Sequence, residues 1–214
     1  MNANEEQAGT ERMGQAKSAP ADRETAGPLD ETEASAVRPY IDLGGVKLVP
    51  RDGMQVRLEV EEGSKRVVAV GLDIGGSTLQ VQPFAAPRSG GLWHEIRDQI
   101  AEQIAKQGGT TSLQVGPFGP ELLAQIPASA PGQPGTTRVA RFVGVDGPRW
   151  FLRGVIAGEA ATNRDAAAVI EDVFRSVVVV RGNTPMPPRD LIPLQMPQGT
   201  ATPGTRTAGS PTSA

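Results

Sequence analysis

The chain has 214 residues, contains no cysteine and one histidine, and carries a formal net charge of −3. Without cysteine it has no disulfide framework, thiolate nucleophile, thiolate zinc site or iron–sulfur cluster, and a single histidine excludes multi-histidine metal centres. Its length allows one domain or at most two small ones, and no apolar run approaches the ~20 residues of a membrane span. We therefore expect a cytoplasmic protein without a metal or cofactor.

The two ends of the chain differ from its middle in charge and apolar content. Residues 1–39 hold eight acidic and four basic side chains, whereas residues 40–194 hold sixteen of each. Residues 1–37 and 197–214 contain few large apolar side chains, so they bury too little surface to offset the entropy of ordering. The sequence predicts a disordered acidic tail (1–37), a single domain (38–196) and a second disordered tail (197–214). The neutral middle disfavours direct nucleic-acid binding.

Alternation of apolar and polar residues predicts the first strands. Residues 54–60 alternate over their whole length, which is the period of a half-buried strand. Residues 67–72 form a short apolar run, and residues 78–84 follow as another strand-like segment. We therefore expect a four-strand meander over residues 40–85.

A helix is predicted next, because apolar residues recur at helical spacing. They are Trp93, Ile96, Ile100 and Ile104. The Gly108-Gly109 pair ends the helix. Ser89 is positioned to cap its start.

A second run of strands is predicted in the other half of the chain, and it is followed by a second helix. The strands are expected at residues 113–115, 121–126, 138–145 and 149–156. The Asp146-Gly147 pair is a strong hairpin signal between the last two. The second helix covers residues 164–175.

The chain then ends in a short strand over residues 177–181 and an extended proline-rich segment over residues 185–193. The resulting order, ββββαββββαβ, predicts an α+β fold in which an antiparallel sheet is flanked by two helices.

One motif suggests phosphate chemistry. Asp73, Gly75, Gly76 and Ser77 lie in a string that resembles the first phosphate-binding hairpin of actin-like sugar kinases and ATPases. In that hairpin the glycines let backbone amides approach a phosphate, and the aspartate lies near the metal. That fold needs two full domains and further motifs that this chain does not show, and an ordinary β-hairpin turn explains the same residues. A nucleotide- or phosphate-binding protein or enzyme is therefore the alternative function.

The main binding candidates are arginines and tryptophans, which dominate interface hot spots. Strand alternation places Arg149 and Arg153 on one face of a strand and Trp150 on the other. An arginine among apolar neighbours is either a rim residue or a receptor for a carboxylate or another anion. The competing interpretation makes the tryptophans core residues and pairs the arginines with acids such as Asp146. The full candidate set is Arg88, Trp93, Arg141, Arg149, Trp150 and Arg153.

Several strings of the predicted domain, among them FVGVDGPRWFLRGVI and MPPRDLIPL, are similar to an uncharacterised actinobacterial family, domain of unknown function 3710. The resemblance covers residues 38–196 and implies no activity and no catalytic residues. The element order also resembles the Mog1/PsbP-like fold, an antiparallel sheet sandwiched by helices. Members of that fold are commonly non-enzymatic assembly or binding factors.

These observations favour a non-enzymatic module that binds an unidentified protein partner. No catalytic residue is predicted, because no nucleophile elbow is present and adjacent acidic residues point to different faces of their elements. A homodimer formed through an exposed edge strand is compatible with the sequence.

Overall fold

The computed structural model describes residues 16–128 and 136–197. In chain order, its elements are α1 (Arg23–Ala26), β1 (Leu29–Asp30), β2 (Ile41–Asp42), β3 (Val46–Leu48), β4 (Gln55–Val60), β5 (Val67–Ile74), β6 (Ser77–Ala85), α2 (Trp93–Lys106), β7 (Thr110–Gly116), β8 (Gly119–Ala128), β9 (Thr136–Asp146), β10 (Trp150–Gly158), a 3₁₀ turn (Glu159–Ala161), α3 (Arg164–Arg175) and β11 (Val178–Val179). The predicted α+β class, with an antiparallel sheet and two long helices, is confirmed.

Seven strands form the main sheet, in the order β4-β5-β6-β10-β9-β8-β7, and all neighbours are antiparallel. A second sheet of four short strands has the order β1-β11-β3-β2, with β1 parallel to β11. The four-strand meander predicted over residues 40–85 is wrong in its first part. β2 and β3 lie outside the main sheet because β3 pairs with β2 on one side and with β11, which is remote in the sequence, on the other. β4, β5 and β6 do form a meander.

Each face of the main sheet buries its own apolar cluster. On one face α2 packs Trp93, Ile100 and Ile104 against β8 and β10, including Leu122 and Phe151. On the other face lie α3 and the small sheet, which form the larger cluster with alternate residues of β5, β6, β9 and β10. This division follows from the strand period, because successive side chains point to opposite faces.

The N-terminus of α2 is held by a residue far away in the sequence. The predicted cap, Ser89, is wrong: Leu92 is the N-cap residue and offers no side-chain cap. Instead, Asp146 at the end of β9 accepts the backbone N–H of Leu92 at 2.8 Å and, at 3.5 Å, that of Trp93. The N-cap of α3 is local, since the side chain of Asn163 accepts two backbone N–H groups of the first turn.

The described part of the predicted acidic tail is packed against the domain. We call residues 16–34 the N-terminal segment. Trp150 donates its indole N–H to Asp30 at 2.9 Å, and Arg23 forms two hydrogen bonds with Glu33. The segment has few large apolar side chains, but its polar groups find partners within the segment and on the domain. Residues 1–15 and 198–214 of the predicted tails lie outside the described residues.

A C-terminal segment, residues 189–195, connects the two sheets. On the main sheet, Ala85 donates its backbone N–H to Asp190 at 2.8 Å. On the small-sheet side, Gln195 donates its backbone N–H to Leu43, also at 2.8 Å. Between these contacts Ile192 is only 2% exposed and belongs to the larger core cluster. The segment therefore contributes core residues as well as surface.

We expect Ile192→Ala to lower the free energy of unfolding by roughly 3 kcal/mol, because it leaves a cavity where the two sheets meet. Urea unfolding followed by tryptophan fluorescence measures the change. Met196→Ala is the matched control, since Met196 follows the same segment but is exposed. A loss for Ile192→Ala no larger than for Met196→Ala would show that the segment is only peripheral.

Candidate functional site

The structure does not bring the six arginine and tryptophan candidates together. Trp93 and Trp150 are both fully buried, on opposite faces of the main sheet. Arg88 is exposed before α2, and Arg149 donates a 3.0 Å hydrogen bond to the carbonyl of Gly182. The two remaining arginines, Arg141 and Arg153, lie on opposite faces in two different environments, which are considered in turn.

Arg141 lies in a buried ion network. Its guanidinium donates to Glu121 at 2.8 Å and to Glu171 of α3 at 2.6 Å. Glu121 is only 3% exposed, and this burial raises the pKa of its carboxyl even though Arg141 acts in the opposite direction. The carboxyl lies directly over Gly116, where an added Cβ would come within 1.9 Å of an oxygen. A larger residue at that position of β7 would therefore displace the Glu121 carboxyl from its place beside Arg141.

This network borders a cleft of about 540 Å³ between the β7–β8 hairpin and the start of α3. The Arg141 guanidinium is within hydrogen-bond distance of both Glu121 and Glu171. It also donates a weaker hydrogen bond of 3.4 Å to the backbone carbonyl of Ala160. The arginine joins β8, β9, the 3₁₀ turn and α3. Arg141 therefore positions α3. Its charge is already matched by Glu121 and Glu171.

Arg153 lies on a part of the main sheet that no described helix covers. α2 packs over β7, β8, β9 and Phe151 at the start of β10. Beyond Phe151, the same face of β10, together with that of β4, β5 and β6, carries mainly polar side chains. We call this region the open face. Its polar residues are Arg57, Glu59, Asp73, Thr78, Gln80, Gln82 and Arg153.

One of the two arginines of the open face is ion-paired within it. Arg57 forms two hydrogen bonds with Asp73, at 2.5 and 3.0 Å, and these hold the pKa of the Asp73 carboxyl below its usual value. Glu59 accepts a hydrogen bond from Gln80 at 2.5 Å. Asp73 thus has donors on both neighbouring strands, Glu59 has a donor on β6, and neither acid is used by Arg153.

Arg153 is partly buried, yet no described carboxylate lies within ion-pair distance of its guanidinium, whereas Arg57 and Arg141 of the same sheet are ion-paired. Its guanidinium donates to the side-chain carbonyl of Gln82 and lies 5.6 Å from the centre of the Phe84 ring. Its Nε is buried and has no hydrogen-bond partner among the described residues. Burial without a compensating anion lowers the pKa of this group. Such a guanidinium is suited to receive an anion.

The residues proposed for phosphate binding form a two-residue hairpin turn between β5 and β6. Gly75 and Gly76 have φ values of +54° and +75°, as expected for the primed turns that join antiparallel strands. Asp73 accepts from Arg57 and Thr78, and the Ser77 hydroxyl accepts the N–H of Ala160 at 2.9 Å. The turn therefore accounts for these residues by hairpin geometry alone.

Two residues of these sites were absent from the sequence-based candidates. Glu121 and Gln82 are ordinary strand residues in the sequence, and only the strand register places them beside Arg141 and Arg153. Within residues 16–128 and 136–197, no helix is long and apolar enough to cross a membrane. In the same ranges no group of three or more acidic or histidine side chains is arranged to hold a metal ion.

Comparisons with known proteins give one family. A family model described as "Protein of unknown function (DUF3710)" matches residues 27–203. No curated protein matches the chain. Among solved structures, the solution structure of cyanobacterial PsbP (CyanoP) from Synechocystis sp. PCC 6803 is similar, with 13% identity and a TM-score of 0.38. That match covers 72% of this chain and 99% of the other.

Proposed function

Because the chain belongs to the DUF3710 family of proteins of unknown function, we propose its function from the geometry of its surfaces. The protein is a non-enzymatic binding module of the cytoplasm that holds a partner protein on the open face. The partner places a carboxylate, from an acidic side chain or a chain terminus, against Arg153.

The observation that carries this proposal is the unmatched charge of Arg153. A guanidinium has five N–H donors, and a carboxylate can accept two of them at once in parallel hydrogen bonds. In the described structure only the side chain of Gln82 accepts from Arg153, and Nε is left without an acceptor. Buried polar groups are normally satisfied, so a partner group is expected there.

The surroundings support a protein partner that lies extended along β6. Thr78, Gln80 and Gln82 are each half-buried on β6, at every second position, which is the spacing of one face of a strand. They place polar groups in a line along β6, and the last of them, Gln82, lies directly opposite Arg153. The pair formed by Arg153 and a carboxylate of the partner would be shielded from water, and such charge pairs contribute strongly to binding when each group is hydrogen-bonded.

We expect Arg153→Gln to reduce capture of the partner by at least about tenfold, because loss of one member of a buried interfacial pair costs more than 1.4 kcal/mol. The measurement is affinity capture from the native host with quantitative mass spectrometry. Arg57→Gln is the matched control, since Arg57 lies on the same face but is already paired with Asp73.

Arg149→Ala tests the arginine that precedes β10, and we expect no loss of capture because the Arg149 guanidinium is already bonded to the carbonyl of Gly182. Thermal unfolding of each variant verifies that the fold is retained. Equal capture by wild type and a folded Arg153→Gln variant would exclude the open face as the binding surface.

A further inference from the structure

The two edges of the main sheet are protected to very different degrees. β4 forms one edge and carries Arg57 and Glu59, with a bulge between Glu59 and Val60. Charges and bulges are the features that prevent an edge strand from pairing with another chain. β7 forms the other edge and has neither feature. Its sequence, TTSLQVG, contains no charged residue and no proline.

β7 also exposes large apolar side chains. Leu113 is 61% exposed and Val115 is 88% exposed. Both point to the α2 side of the sheet, because Leu113 lies opposite Leu122, which packs beneath α2. Among the described residues, β7 pairs with β8 on one side and with no strand on the other. Its backbone groups on that outer side are therefore available for pairing.

We propose that β7 pairs antiparallel with β7 of a second copy of this chain, so that one continuous sheet crosses both copies. The two-fold axis of such a dimer is perpendicular to the sheet, so both copies present the same face on the same side. Leu113 and Val115 of each copy then form one apolar strip between the two α2 helices.

The second copy fits this edge because an uncharged strand is complementary to itself. No like charges are placed opposite each other when β7 meets its own copy, whereas charged strands placed against themselves repel. A self-pairing of β4 about its central residues would bring Arg57 or Glu59 of one copy close to the identical residue of the other. Self-association is thus favoured at one edge and disfavoured at the other.

Oligomeric mass of the full chain tests the proposal. Sedimentation equilibrium across a concentration series should show a reversible dimer for the wild type and a monomer for Val115→Lys, which introduces a charge at the edge. Val60→Lys is the matched control, because Val60 is an exposed valine on the opposite edge strand. It should dimerise like the wild type.

Cross-linking identifies the strand directly, because the chain has no cysteine of its own. Residues that face each other across antiparallel strands are about 4.5–5.5 Å apart between Cα atoms, a separation that a disulfide spans. A single cysteine introduced as Leu113→Cys should give a covalent dimer on mild oxidation, whereas Val60→Cys should not.

A wild type that is monomeric at every concentration would overturn the proposal, as would a dimer that Val115→Lys leaves intact. A monomer whose β7 instead binds an extended peptide of another protein would overturn the choice of a second copy. None of these results depends on Arg153, so the dimer and the proposed partner surface succeed or fail separately.

Discussion

Arg141→Met should lower the free energy of unfolding by about 3–5 kcal/mol, because removing one member of a buried ion pair leaves the other member buried and uncompensated. The methionine fills much of the space of the arginine stem, so the loss comes mainly from charge. Glu121 would keep its burial and lose both hydrogen bonds from the guanidinium. Glu171 would remain nearby as a second negative charge.

The same variant should respond to pH in a defined direction. Burial already raises the pKa of Glu121, and removal of Arg141 raises it further. A carboxyl group with a raised pKa in the folded state gives its full stability below the unfolded pKa and loses it as the pH rises through the folded pKa. The penalty for Arg141→Met should therefore be larger at about pH 7 than at about pH 5.

Urea unfolding at both pH values measures these effects, and two variants serve as controls. Arg57→Met removes an arginine from the exposed ion pair with Asp73 and should leave stability nearly unchanged, since exposed pairs contribute little. Adding Glu121→Gln to Arg141→Met should recover part of the loss by removing the isolated charge. An Arg141→Met variant as stable as wild type at about pH 7 would contradict the network's role in holding α3.

Asp146→Ala should lower the free energy of unfolding by about 2–4 kcal/mol, because one carboxylate serves several buried backbone N–H groups. It accepts from Leu92 and Trp93 at the start of α2 and from Ser18 of the N-terminal segment at 2.9 Å. Without it, α2 loses the group that satisfies its first amides. The N-terminal segment loses a contact with the β9–β10 hairpin at the same time.

Hydrogen exchange distinguishes this explanation from general loss of stability. The amides of Leu92, Trp93 and Ser18 should lose protection at denaturant concentrations where the core strands are still protected. Asp146→Asn retains one acceptor oxygen and should be intermediate. Ser89→Ala should match the wild type, since Ser89 does not cap the helix. A large effect of Ser89→Ala together with a small effect of Asp146→Ala would reverse the assignment.

The elements that the sequence predicted well are those defined by short-range patterns. The periodicity of residues 54–60 and the helical spacing that begins at Trp93 produced elements close to the observed β4 and α2. The Asp146-Gly147 pair correctly marked the hairpin between β9 and β10. The helix predicted over residues 164–175 coincides with α3. Each of these depends on residues that are close together in the chain.

The features that were missed depend on partners far apart in the sequence. The sequence interpretation paired the arginines with acids such as Asp146, but Asp146 serves backbone amides and Arg141 pairs with Glu121 and Glu171. Local composition could not identify the small sheet, because β1 and β3 are both paired with β11, which lies more than 100 residues further along the chain.

For the candidate site, strand alternation correctly separated Arg153 from Trp150. It could not show that Trp150 is buried beneath the N-terminal segment, or that Arg153 lacks an acidic neighbour. The first fact rests on the contact of Trp150 with Asp30, and the second on the strand register that places Gln82 of β6 opposite Arg153. The partner on the open face stays a prediction.

The pairing of β1 with β11 has a consequence for biosynthesis. A ribosome releases the N-terminal segment early, whereas its partner strand β11 and residues 189–195 leave the exit tunnel only after all strands of the main sheet. Until β11 has emerged, the N-terminal segment has no strand to pair with, and the face of Trp150 that this segment buries stays exposed. Pairing between residues so far apart in the sequence is slow. Transiently exposed apolar surface of this kind is what chaperones bind. The nascent chain, rather than the finished domain, is therefore the form of this protein most exposed to aggregation.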